Sequence, residues 1–262
     1  MNIIVFSKDR ACQLDLFLYG FFKQPELSAQ GITVIYAYSD IRFMMGYEIL
    51  RKNRKKIKWV LESDFKNDVL TSVDNGKTLT VFFTDDDIWV NDFSFEHPCF
   101  RNFYRHFDSF SCFSLRLNPF LNYCYAYGKE IKGKDRPVFK ENVFCWKGLS
   151  NDYGYPMSLD GHIFKTSDIL PLLKTLSYHN PNTLEAELSK NPIDKPFMSC
   201  FDDSVIVNNP CNRIQNEFLN RNEGLNPAEM NEMFLSGKRL SDLHIRGHKI
   251  TAVHSPFPLV YE

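Results

Sequence analysis

Several things are missing from this 262-residue chain, and each absence removes a class of function. Charge of one sign is not in excess: with a net charge of -1 and no long basic tail, the composition gives no reason to expect a nucleic-acid partner. No run approaches the roughly 18 consecutive apolar residues of a membrane span, so no integral membrane segment is expected. The N-terminus enters the apolar run Ile3-Ile4-Val5-Phe6 without a basic n-region, so no signal peptide is expected either. Seven cysteines are scattered without a CxxC pair or zinc-type spacing, which reads as reduced thiols in a cytoplasmic protein. Finally, neither GxGxxG nor GxxxxGK[ST] follows the first apolar run, which weighs against a Rossmann dehydrogenase or a P-loop nucleotidase.

What is present suits one large soluble domain: 44% hydrophobic residues, 24% charged, and 24 phenylalanines, most of whose rings belong in a core. The first ninety residues alternate. Ile3–Phe6, Ile32–Tyr38, Ile57–Leu61 and Thr78–Phe83 are apolar runs of strand length. Between them lie helical patterns carrying Leu14, Phe17, Leu18 and Phe21, then Phe43, Met44, Tyr47, Ile49 and Leu50, then Asp64–Val73. Arg51 to Lys56 reads as a basic helix end. Alternating strands and helices predict right-handed crossovers, a mainly parallel sheet, and ligands outside the carboxyl ends of its strands.

Two polar segments fall at such ends, Ser7-Lys8-Asp9-Arg10 and Thr84-Asp85-Asp86-Asp87. Three adjacent carboxylates cannot be buried unpaired, so a compensating cation is predicted, Mn²⁺ or Mg²⁺ for an oxygen-rich site; the alternative is a solvated acidic turn. This order of elements, Ile3–Arg10, a helix, Ile32–Tyr38, and a strand ending in Asp85-Asp86-Asp87, resembles the nucleotide-diphospho-sugar transferases of the GT-A fold, with Asp85 and Asp87 at the ends of an Asp-x-Asp element. The resemblance covers the first ninety residues well and the rest loosely. It implies an α/β, Rossmann-like, mainly parallel sheet flanked by helices. Within a single domain spanning 1–262, residues 1–90 would form a nucleotide-sugar-binding half and 91–262 an acceptor-binding extension.

The resemblance also implies roles. Phe6, Ser7 and Arg10 would border the base and ribose of a donor, a UDP-sugar in the first instance, with Asp40 a further contact and Asp85 and Asp86 toward the ribose and sugar. Asp87 would ligate the metal, joined by His254 late in the chain, with His244 and His248 as rivals. Glu185 would deprotonate an acceptor hydroxyl of a glycan, with Asp160 as competitor. Trp146, Tyr153 and Tyr155, in an aromatic, turn-rich stretch, are acceptor candidates because pyranose faces stack on rings. Ser7, Asp9 and Asp40 are equally good helix caps, and Glu185 equally good near a helix N-terminus.

Further elements are legible. Asp160-Gly161 signals a turn between flanking apolar positions, as in a β-hairpin; Thr183 is a cap candidate; Ile214, Phe218 and Leu219 outline a helix face; Asn226 to Gly237 delimit a helix; and Lys249 to His254 reads as a strand. The implied activity is metal-dependent sugar transfer from a nucleoside-diphosphate sugar to a carbohydrate hydroxyl. Alternatives are a noncatalytic nucleotide-sugar or carbohydrate-binding protein on the same fold, a sugar nucleotidyltransferase, and a phosphohydrolase. Residues 91–142 carry no functional reading.

Overall fold

A computed structural model describes residues 1–214 and 221–262; the predicted helix positions Phe218 and Leu219 lie outside the described residues. In chain order the elements are β1 (Asn2–Lys8), α1 (Ala11–Phe22), α2 (Pro25–Ser28), β2 (Ile32–Ala37), α3 (Ile41–Asn53), β3 (Ile57–Leu61), α4 (Phe65–Val73), β4 (Leu79–Thr84) and β5 (Asp87–Trp89). There follow α5 (Pro98–His106), β6 (Phe110–Ser114), β7 (Tyr123–Cys124), β8 (Lys129–Glu130), β9 (Val143–Cys145), β10 (His162–Lys165), α6 (Thr166–Thr175), α7 (Pro181–Lys190), β11 (Phe197–Cys200), β12 (Ile206–Asn208) and α8 (Pro227–Leu235).

Eight strands form one sheet in the order β3-β2-β1-β4-β10-β6-β11-β9. β1 pairs in parallel with β2 and β4, β2 with β3, and β6 with β11; β10 is antiparallel to both its neighbours and β9 antiparallel to β11. The predicted α/β, mainly parallel sheet flanked by helices is therefore observed. Strands covered on both faces read as continuous apolar runs, and β1 is buried from Asn2 to Ser7. Successive side chains point to opposite faces: Phe82 stacks on Phe6, which meets Phe65 of α4, while Phe83 packs on Phe17 of α1 and on Trp89. Helices therefore cover both sides.

Close packing shows at Gly20 of α1, where an added Cβ would lie 2.6 Å from Trp89 Cδ1. Trp89 is enclosed by Phe17, Phe21 and Phe83 and cannot retreat. Gly20→Ala is expected to destabilise the fold by about 1–3 kcal/mol despite its better helix propensity, measured by denaturant unfolding; a variant as stable as the parent would contradict this packing.

Three expectations are corrected. Gly161 does not turn a local hairpin with Met157–Leu159, because β10 is taken on one side by β4 and on the other by β6, long-range partners that bury more surface. Asn180 rather than Thr183 caps α7; Thr183 sits at the third helical position and completes a reciprocal capping box. Lys249–His254 is no strand but carries a single bridge, since its backbone bonds are split between Asn208, which bonds Val253 O and Ser255 N, and the loop residues Asn122 and Tyr123, which both donate to Thr251 O. No described helix is long and apolar enough to cross a membrane.

Candidate functional site

The carboxyl ends of β1, β2, β4 and β6 lie on one edge of the sheet, and antiparallel β10 brings its amino end, Asp160-Gly161, to the same edge. α7 closes the opposite wall. Between them is a cavity of about 1030 Å³ lined by Phe6, Ser7, Arg10, Asp85, Asp86, Arg116, Tyr155, Asp160, Glu185, Asn208 and His254, among others.

On one wall, Asp85 and Asp86 make the two-residue turn between β4 and β5. Arg10 Nη1 donates to Asp85 Oδ1 and Asp86 Oδ2, each at 3.0 Å, while its Nη2 donates to Asn212 O at 2.6 Å. Burial pushes the Asp85 carboxyl up to about 6, with the Arg10 guanidinium opposing the rise. Asp87 is fully buried, accepting from Thr84 N at 3.1 Å; burial first, then the charges of Asp160 and Asp86, raise its carboxyl well above the usual range. Asn208 ties this cluster to the C-terminal segment: its amide nitrogen donates to Asp86 Oδ1 at 2.9 Å and its oxygen meets His254 Nδ1 at 3.0 Å. Burial lowers the His254 imidazole below its ordinary value, keeping it neutral.

Adjoining this cluster, Arg116 Nη1 donates to Asp160 Oδ2 at 3.1 Å, and Thr84 Oγ1 donates to Asp160 Oδ1 at 3.0 Å. Arg116 is 2% exposed, a charge that needs such a partner. Glu185 Oε1 accepts from Leu159 N at 3.3 Å. Burial, reinforced by Asp160 and opposed by Arg116, pushes the Glu185 carboxyl up to about 7, a value poised for proton transfer near neutrality.

No family model matches the sequence. Over 283 aligned positions, 92% of the chain, it is 24% identical to the bifunctional glycosyltransferase pgtA of Dictyostelium discoideum, and it spans 36% of that protein's length. Over most of its length the chain is therefore similar to a glycosyltransferase. Among solved structures, residues 1–349 of S. aureus TarS match at a TM-score of 0.41 and 14% identity, over 79% of this chain and 59% of that one.

The cavity gathers most of the predicted site residues. Phe6, Ser7, Arg10, Asp85, Asp86, Tyr155, Asp160, Glu185 and His254 all line it. Ser7 Oγ is held 2.8 Å from the Tyr47 hydroxyl rather than capping α1. Four residues stand elsewhere. Asp40 is exposed and caps α3, accepting from Arg42 N at 2.7 Å and Phe43 N at 3.1 Å. Tyr153 is wholly buried against Phe139 and Phe144 with its hydroxyl on Asn118 O, so it is core. Trp146 at the end of β9 spends its indole N–H on Lys195 O and Ser111 Oγ, away from the cavity. Asp87 sits behind the wall, held by Thr84 N and the Asn208 amide, so Asp86 rather than Asp87 presents its carboxylate.

The composition of the acidic wall suits a divalent cation. Asp85 and Asp87 are both raised by burial while Arg10 is shared between Asp85 and Asp86, so additional positive charge would be stabilised there. Carboxylate oxygens alone would suit Mg²⁺ or Mn²⁺, and a neutral imidazole among them would suit Mn²⁺ better. Reading the sequence missed Arg116 and Asn208. An arginine in a stretch without periodicity gives no sign of burial, and Asn208 stands in an Asn-rich, turn-type stretch where nothing local distinguishes it from its neighbours.

Proposed function

We propose that this protein transfers a sugar from a nucleoside-diphosphate sugar, a UDP-sugar in the first instance, to a carbohydrate hydroxyl, with Mn²⁺ or Mg²⁺ as cofactor. The observation that carries the proposal is a single cavity lined by Arg10, Asp85, Asp86, Arg116, Asp160, Glu185 and His254. Asp86 and His254 would hold the metal, which when bound supplies positive charge to a departing diphosphate. Lys8, Arg213 and Arg221 also line the cavity and suit the same anion.

Glu185 is assigned as the general base in preference to Asp160, because both Asp160 oxygens are committed to Thr84 and Arg116. It takes the acceptor proton as the acceptor oxygen bonds to the anomeric carbon and the bond from that carbon to the diphosphate oxygen breaks. A single displacement of this kind inverts the anomeric configuration. Tyr155, partly exposed in the cavity beside Glu185, offers a ring for the acceptor sugar.

Thermal shift of the full chain with nucleoside diphosphates, with and without Mn²⁺, tests the donor side. A Mn²⁺-dependent rise of roughly 5–10 °C is expected at a hundredfold excess over Kd, and it should be lost in Asp86→Ala. Absence of any nucleotide response under both metals would overturn the reading.

A further inference from the structure

Beyond the cavity, three side chains from distant parts of the chain converge where α5 begins. Among the described residues, His97, Cys99 and Asp202 are the one group of three or more His, Cys, Asp or Glu side chains whose donor atoms all lie within 4.8 Å of each other. His97 Nε2 is 3.5 Å from Asp202 Oδ2. Donor pairs in a tetrahedral zinc site fall at roughly 3.4–3.8 Å, from ordinary Zn–N, Zn–O and Zn–S lengths, so this pair already has the spacing, and the Cys99 sulfur would close the triangle by drawing in about 1 Å at most.

The surroundings hold these groups in place. The His97 ring packs edge-on against buried Phe201, with centroids 4.8 Å apart. Asn142, in the left-handed region at φ 61°, donates its amide to Asp202 Oδ1 at 2.7 Å and to Cys99 Sγ at 3.3 Å, bridging two of the three. Donors behind the ligands are what orient a metal's first coordination sphere. Cys99 is half-buried, His97 half-buried and Asp202 exposed, which leaves an approach from solvent.

We propose that His97, Cys99 and Asp202 form a zinc-binding site separate from the cavity, with water completing the coordination. Mixed nitrogen, sulfur and oxygen donors suit Zn²⁺ over the hard cations that suit the acidic wall. On binding, the Cys99 thiol releases its proton to solvent and the neutral His97 ring carries its proton on Nδ1, giving up the 3.3 Å contact with Cys99 N–H. No oxidation or reduction is involved. The ion would join the start of α5 to the loop after β11, which leads into β12 and Asn208. The site does not depend on the proposed transferase reaction.

Titration of the reduced, chelator-stripped full chain with Co²⁺ as a spectroscopic stand-in, and competition with Zn²⁺, tests it. One equivalent should produce a thiolate-to-cobalt charge-transfer absorption, displaced by Zn²⁺, lost in Cys99→Ser and retained in Asp86→Ala and in Cys145→Ser, which removes the exposed thiol. Asp202→Asn, at an exposed position that should not disturb folding, should weaken Zn²⁺ binding at least about tenfold. No such absorption in the parent protein, its persistence in Cys99→Ser, its loss in Asp86→Ala or Cys145→Ser, or unchanged affinity in Asp202→Asn would overturn the site.

Discussion

Glu185→Gln is expected to lower kcat by about 10²–10⁴-fold while leaving the Mn²⁺-dependent nucleotide response intact. The substitution keeps shape and hydrogen-bonding capacity but removes the proton acceptor. In the parent protein kcat/KM should rise with pH through about 7 as Glu185 loses its proton, and the residual activity of the variant should lack that limb. Stability should move the other way. The folded-state value of about 7 lies above the ordinary value of 4.5, so the unfolded chain releases this proton first and the fold loses stability as pH rises between those two values. Glu185→Gln should therefore match the parent near pH 4 and exceed it by roughly 1–3 kcal/mol above pH 7. Transfer assays against pH and denaturant unfolding at both pH values read the two effects; a variant with parental kcat would remove Glu185 from the chemistry.

Arg116→Met should cost about 3–5 kcal/mol, because it strands Asp160 as a buried carboxylate without its cation. Adding Asp160→Asn to Arg116→Met should recover part of the loss, since the uncompensated charge is then gone, and the cycle isolates the pair from the packing of the arginine stem. A second consequence concerns the neighbour. Arg116 is the charge that opposes the upward shift of Glu185, alongside hydrogen bonds from Ser158 and Leu159, so its removal should carry the rising limb of the pH profile to more alkaline values. Denaturant unfolding of the four proteins and the pH dependence of transfer by Arg116→Met measure both. A loss under 1 kcal/mol would show that the ion pair is not needed to hold Asp160 in the fold.

The parts of the molecule that were legible share a physical cause. β1 to β4 are buried on both faces, so each is a near-unbroken apolar run bounded by polar residues, and the crossover rule then placed Ser7, Arg10 and Asp85 on one edge. Where two readings competed for one residue, the local sequence could not choose. Asp40 and Asp64 both precede helices and both became caps, whereas Ser7, an equally good cap by type, turned to Tyr47. Tyr153 and Tyr155 stand two apart in one aromatic stretch, yet the first is sealed against Phe139 and Phe144 and the second borders the cavity.

By itself the sequence determined the alternation of strands and helices, the mainly parallel sheet, the two polar loops at its edge and the acidic turn, because hydrophobic periodicity and capping act over a few residues and leave a local record. Only the tertiary structure decided which of the three acids line the cavity and which is sealed off, that Arg116 neutralises Asp160, that Asn208 joins Asp86 to His254, and that Asp202 meets His97 and Cys99. These pairs are far apart in the chain. Their meeting depends on sheet register and on which long-range partners bury the most surface, and a buried charge is spelled with the same residue as a solvated one.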